Sequence, residues 1–225
     1  MKYERTIAIA DIHGCLKELK KLLETVNPVK GKDHLVILGD VIDRGYDSEG
    51  VIRLLLEYRD TLGEENMIWL LGNHEDQLIQ RNRKKLFRKK ETSPLDKYSR
   101  LFSQLPLFTE TEECIFAHAG FNGDPYDWQC LLYDRSVLSG KRHWPGKLCI
   151  CGHSPFDSGT FVPFTKPVYI DESGNRSSVT DGMPVPEKGS LFIDTGCVYK
   201  NCLTALVINH SNSTLHFVSV PFEGV

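Results

Sequence analysis

Apolar positions follow two rhythms in the first part of the chain. Thr6-Ile7-Ala8-Ile9-Ala10, Leu35-Val36-Ile37-Leu38 and Met67 to Leu71 are short runs without charge, the pattern of strands buried on both faces. Between the first two, leucines at 16, 19, 22 and 23 within Cys15 to Val26 fall on one face of a helix. Asp47 to Thr61 predicts a second helix, with Asp47 or Ser48 able to accept its first free N–H groups. A third helix is predicted from about Glu75. Strands alternating with helices imply parallel crossover units.

The rhythm changes further on. Val168-Tyr169-Ile170, Ser190 to Ile193, Leu203 to Ile208 and Leu215 to Val220 read as strands with few helices between them. Gly, Pro, Asn and Ser separate them, as in antiparallel hairpins. Gln80 to Ser103 reads as helical and predicts a small cap. The expected fold class is α/β: a sandwich of two central mixed sheets facing each other, flanked by helices. One domain spans 1–225, with the cap inserted at about 80–105. A chain of 225 residues buries enough core to fold without disulfides.

Composition narrows the setting. A formal net charge of -3 neither demands nor forbids nucleic acid, which is not an expected partner. No apolar run reaches membrane-spanning length, and Thr6 to Ala10 is too short for the apolar core of a signal peptide. The seven cysteines are odd in number and irregularly spaced, which fits reduced thiols and a cytoplasmic location. No pattern fixes an oligomeric state.

The chemistry sits where the apolar runs stop. The first three end in Asp11-Ile12-His13-Gly14, Gly39-Asp40-Val41-Ile42-Asp43-Arg44-Gly45 and Gly72-Asn73-His74-Glu75. Ile115-Phe116-Ala117 leads to His118-Ala119-Gly120, and Cys149-Ile150-Cys151 leads to Gly152-His153-Ser154-Pro155. Sites in open α/β sheets form beyond the carboxyl ends of strands, so these turns should converge. Divalent metals accept carboxylate oxygen, imidazole nitrogen and amide oxygen. Two metals can clamp the attacking and leaving oxygens of an in-line displacement, and Asp40 is well placed to bridge them. Asp11 and His13 are one residue apart, so on an extended segment both would point to one side and grip one metal. Any one such turn is commonly only a cap or a turn former. Five in series, each behind an apolar run, are hard to explain that way.

Asp-x-His-Gly, Gly-Asp-x-x-Asp-Arg-Gly, Gly-Asn-His-Glu, His118-Ala-Gly and Gly-His153-Ser-Pro, in this order, resemble the phosphoprotein phosphatase family of calcineurin-like metallophosphoesterases. Ile193-Asp194-Thr195-Gly196 is similar to that family's last signature strand and turn. The resemblance spans roughly residues 6 to 208, and the family's usual Gly before the first Asp is Ala10 here. It implies two divalent metal ions, Mn2+ being expected and Fe or Zn compatible with the same donors. Asp11, His13 and Asp40 would hold the first metal; Asp40, Asn73, His118 and His153 the second. A water shared by the metals would be the nucleophile. His74 would be the general acid and Asp43 would fix its tautomer. Arg44 would bind phosphate, and Arg135 in Tyr133-Asp134-Arg135-Ser136 is the expected second arginine, unless it is only a surface helix residue.

The resemblance implies an enzyme that hydrolyses phosphate esters, and its small bacterial and phage members point two ways. The compact length and the Gly-His-Ser-Pro turn favour a serine/threonine protein phosphatase acting on a phosphoprotein or phosphopeptide. The alternative is a symmetrical dinucleoside tetraphosphatase or related hydrolase acting on a nucleotide polyphosphate. A binding module without catalysis fits less well, because His74 and Arg44 are both present. Arg81 to Lys90 is strongly basic and reads first as a solvated helix face. Cys149 and Cys151 read as buried thiols, and His34, His143, His210 and His216 as structural or surface residues. Trp69 reads as core, whereas Trp128 and Trp144 lie nearer the expected substrate mouth.

Overall fold

The computed structural model describes residues 2–85, 93–139, 146–155 and 164–224. The first sheet has strand order β11-β10-β1-β2-β3. Its members are β1 (Arg5–Ile9), β2 (Asp33–Ile37), β3 (Met67–Trp69), β10 (Cys202–Asn209) and β11 (Thr214–Pro221). The first three run parallel, while β10 is antiparallel to β1 and forms a hairpin with β11. The second sheet has order β4-β5-β6-β9-β7-β8. It contains β4 (Phe108–Glu110), β5 (Cys114–Ala117), β6 (Leu148–Cys151), β7 (Val168–Ile170), β8 (Arg176–Ser178) and β9 (Ser190–Phe192). Here β5, β6 and β9 are the parallel trio.

Alternation along each strand builds three apolar layers. Ala8, Val36, Leu38, Leu206 and Ile208 of the first sheet meet Phe116, Ile150 and Leu191 of the second in one buried cluster. Their neighbours Ile7, Ile9, Leu35 and Ile37 face the other way, onto helix residues Leu19, Leu22, Leu23, Val51 and Leu55. On the far side of the second sheet, Ile115, Cys149, Cys151 and Phe192 pack with Leu131 and Leu138. Phe116 is fully buried between the sheets, so truncation to Ala would cost about 3–5 kcal/mol.

Helices α1 (Leu16–Val26) and α2 (Ser48–Leu62) link the parallel strands of the first sheet. Asp47 caps α2 by accepting from the Gly50 N–H at 2.7 Å. Ser48 instead accepts from the Asp43 N–H at 3.0 Å and ties the helix to the turn before it. Helix α3 (Asn73–Lys85) begins two residues earlier than the sequence predicts, because Asn73 itself enters the first turn. β3 stops at Trp69, although Leu70 N–H still bonds the Ile37 carbonyl at 2.8 Å. β4 and β8 were not predicted; the latter is Arg-Ser-Ser, exposed throughout and without an apolar period.

Among the described residues of 80–105, α3 runs to Lys85, and a 3-10 turn at Pro94–Tyr98 precedes α4 (Ser99–Phe102). Phe102 is buried against Trp69, so this segment packs on the first core. Part of the basic run, residues 86–90, and His143 and Trp144 lie outside the described residues. No described helix is long and apolar enough to cross a membrane.

Candidate metal centre

Six parallel strands end at six polar residues. β1, β2 and β3 lead to Asp11, Asp40 and Asn73; β5, β6 and β9 lead to His118, His153 and Asp194. Asp11, His13, Asp40, Asn73, His118, His153 and Asp194 are all buried. Backbone bonds tie the turns together: His13 N–H to Asp40 O at 2.9 Å, and Gly152 N–H to His118 O at 2.8 Å.

The turns are strained in a shared way. Nine described non-glycine residues have positive φ, and six of them are Asp11, His13, Asp40, Asp43, Arg44 and His153. Such backbone persists where its surroundings over-determine it, and it clusters at functional sites. Asp11 and His13, at φ 47° and 45°, are therefore not on an extended segment. The alternation expected to aim both at one metal does not apply; a tight left-handed turn positions them. Ala10 is not among the positive-φ residues, so its Cβ adds no backbone strain. Gly152 has a different constraint: a Cβ there would overlap Asp11 Oδ2 and come within 2.8 Å of Ala10 Cβ.

Two groups of donors share Asp40. One joins His13, Asp40 and His74, the other Asp40, His118 and His153, each with its ligand atoms within 4.8 Å of one another. Asp11 belongs to neither group. Its Oδ2 accepts the His153 N–H at 2.8 Å, and its carboxyl hydrogen-bonds Asp194. Asn73 Oδ1 lies 3.0 Å from His118 Nε2 and 2.9 Å from His153 Nδ1.

The histidine tautomers expose a mismatch that a cation would resolve. His118 Nδ1 is 2.8 Å from the Leu38 carbonyl, which can only accept, so that nitrogen carries the proton. Burial lowers the His118 pKa, which keeps the ring neutral. Its Nε2 lone pair then faces Asn73 Oδ1 at 3.0 Å and Asp40 Oδ1 at 3.5 Å. Three acceptors converge with no proton between them. His13 shares the tautomer but not the mismatch: Nδ1 donates to Ile42 O at 2.8 Å, while Nε2, 3.5 Å from Asp40 Oδ2, accepts from Arg44 Nη1 at 3.0 Å. Burial holds His13 at about 4 and His153 at about 3. Neutral imidazoles with fixed second nitrogens are the form in which histidine binds metal. The residues present therefore fit a pair of divalent cations.

The carboxylates divide by environment. Burial raises Asp40, but the facing His118, His13 and His74 outweigh it and hold the carboxyl at about 2. Burial, then Asp194 and Asp40, push Asp11 well above the usual range. Burial, opposed by the Gly196 N–H, leaves Asp194 at about 7.

Around this centre lie the other residues marked by the sequence. His74 Nδ1 sits 2.8 Å from Asp43 Oδ2, and the His74 N–H donates to Asp40 Oδ1 at 2.9 Å. The His74 hydrogen bond, ahead of opposing burial, lowers the Asp43 pKa. Arg44 Nη1 reaches His13 Nε2 at 3.0 Å, and its guanidinium lies over the Tyr199 ring at 5.7 Å. Arg135 follows α5 (Trp128–Tyr133) rather than lying on it, and its Nε comes within 3.4 Å of His153 Nε2.

Two supporting residues had no role in the sequence reading. Glu75 is fully buried. Its Oε2 accepts from Asp40 and Gly72 N–H at 2.9 and 3.0 Å, its Oε1 from Val41 and Ile42 N–H at 2.9 and 3.3 Å. It thus braces the Asp40 turn from α3. Asp194 had the same signal as the others, an apolar run ending in an acid. A third group, Cys15, Glu18 and Cys197, is also buried together. Its carboxylate is already engaged by the Tyr46 hydroxyl at 2.7 Å and the Glu223 N–H at 2.9 Å.

Comparison with known proteins identifies the family. The profile described as calcineurin-like phosphoesterase matches residues 4–174. The chain belongs to the calcineurin-like phosphoesterase family. Its His and Asp clusters suit the metal chemistry of that family. This phosphoesterase is 34% identical over 125 residues to a symmetrical bis(5'-nucleosyl)-tetraphosphatase of Vibrio campbellii, covering 52% of the chain. That alignment spans 45% of the relative, less than half its length. A bis(5'-nucleosyl)-tetraphosphatase PrpE, asymmetrical, of Oceanobacillus iheyensis is 28% identical over 232 residues, covering 88% of this chain and 86% of that one. A solved structure described as a candidate diadenosine tetraphosphatase superposes with TM-score 0.64 at 25% identity, covering 97% of this phosphoesterase and 93% of that chain.

Proposed function

We propose that this phosphoesterase is a dimetal hydrolase of nucleoside polyphosphates, with dinucleoside tetraphosphates as the substrate class. The observation that carries the metal reading is the convergence of His118 Nε2, Asn73 Oδ1 and Asp40 Oδ1 without a proton between them. The nucleotide reading is supported by the relatives, which are named for splitting bis(5'-nucleosyl) tetraphosphates. The phosphopeptide reading rests on chain length and one turn, Gly152 to Pro155, and has less support.

Asp11, His13 and Asp40 are proposed to hold one cation, and Asp40, Asn73, His118 and His153 the other. When bound, such cations supply Lewis acidity toward phosphate and water. The mixed donors suit Mn2+ and also Fe or Zn. Arg44 beside His13 and Arg135 beside His153 offer planar guanidinium forks to the phosphate oxygens. His74 presents Nε2 toward the centre while Asp43 holds Nδ1, so His74 can deliver a proton to the departing phosphate oxygen. Asp194 stands beside Asp11 and orients it.

Turnover of diadenosine tetraphosphate and of a phosphoserine peptide should be compared on Mn-loaded protein. The proposal expects the dinucleotide to have the higher kcat/KM. Product analysis then reads the bond cleaved: two ADP for a symmetrical split, ATP and AMP for an asymmetrical one. A preference for the phosphopeptide would overturn the nucleotide reading and restore the protein phosphatase.

A further inference from the structure

We infer that Trp128 and Tyr133 form a nucleobase subsite at the rim of the metal centre. The inference rests on the nucleotide reading above and goes beyond it by naming where a base binds. Trp128 opens α5 with 52% of its surface in solvent. Among the described residues, the other exposed large apolar side chains are Val29, Tyr126 and Tyr199.

The indole is held in place. α5 is anchored by buried Cys130, Leu131 and Leu132, and Asp127 caps it by accepting the Cys130 N–H at 3.0 Å. The Trp128 ring meets Tyr133 edge-on, with centroids 5.8 Å apart and planes at 88°. The Tyr133 hydroxyl donates to Asp76 Oδ2 at 2.7 Å. Asp76 lies two residues after His74 on α3, and Arg135 two residues after Tyr133 reaches His153. Tyr133 is thereby tied to α3, and Arg135 just after it reaches His153, which sets the aromatic pair at the edge of the donor cluster.

The chemistry of that face selects its ligand. A π-surface on the helix that leads into the phosphate-directed Arg135 suits a base joined to a polyphosphate. Stacking tolerates any base, so the subsite takes adenine and guanine alike. Trp128 is a binding residue, not part of the chemical step.

The test is a kinetic panel on Mn-loaded wild type, Trp128→Ala and Trp128→Phe, using diadenosine tetraphosphate, inorganic tetraphosphate and p-nitrophenyl phosphate. Trp128→Ala should raise KM for the dinucleotide on the order of ten-fold with kcat little changed, given ordinary base stacking. Inorganic tetraphosphate, which has no ring to stack, should be unaffected, and Trp128→Phe should recover most of the loss. An unchanged dinucleotide KM, or an equal loss on all three substrates, overturns the subsite. Wild type that cleaves the aryl phosphate but not the dinucleotide overturns the nucleotide reading itself.

Discussion

His74 Nδ1 lies 2.8 Å from Asp43 Oδ2, a bond that joins the first turn of α3 to the turn after β2. It fixes which ring nitrogen carries the proton and aims the other at the centre. Asp43→Asn should therefore lower kcat about 10–100-fold while leaving metal content intact. His74→Asn should cost more on alkyl phosphates than on activated aryl phosphates, whose leaving groups need no proton. Equal losses on both substrate types would mean that His74 does not act as the acid.

Asp40 is shared by both donor groups. Asp40→Asn removes the charge that faces His13, His74 and His118. It should abolish turnover and lower bound Mn to one ion per chain or fewer, read by elemental analysis after gel filtration. Full metal retention in this variant would refute a bridging role.

Metal binding should be linked to protons. In the metal-free protein, Asp11 is pushed well above the carboxylate range by burial first, and Asp194 sits at about 7. A raised pKa means the proton is present below that value and absent above it, so a cation competes with it only on the acid side. Mn affinity should therefore tighten as pH rises from about 6 to 8, with net proton release at neutral pH. His13 and His153, at about 4 and 3, are already neutral there and add nothing to the slope. Calorimetry in two buffers of different ionisation heat measures the release; affinity that weakens as pH rises would contradict this assignment.

Glu75→Gln tests the brace under Asp40. The amide supplies one acceptor where the carboxylate takes four N–H donors, and adds donors of its own. Unpaired buried N–H groups should cost about 2–4 kcal/mol, a Tm drop on the order of 5–10 °C in a chain of this size. An unchanged Tm would show that the turn holds its own shape.

Much of this was legible in the sequence because buried parallel strands and their polar ends share one pattern. Val36 to Asp40 and Phe116 to His118 each show an apolar run, then the residue that the strand delivers. The aim of Asp11 and His13 was not legible, since positive φ in a non-glycine residue leaves no compositional mark. Glu75 was hidden in a motif where its neighbours Asn73 and His74 drew the chemical reading. β8 carries no apolar alternation and owes its pairing to its neighbour β7. The choice between phosphopeptide and dinucleotide was also out of reach, because both would use the same metal donors.

Anomalous diffraction from Mn-loaded crystals tests the central claim most directly. Two peaks should lie on either side of Asp40, one shared with Asp11 and His13, the other with Asn73, His118 and His153. A missing peak beside His118 and His153, or density placing either ring away from Asp40, would contradict the account.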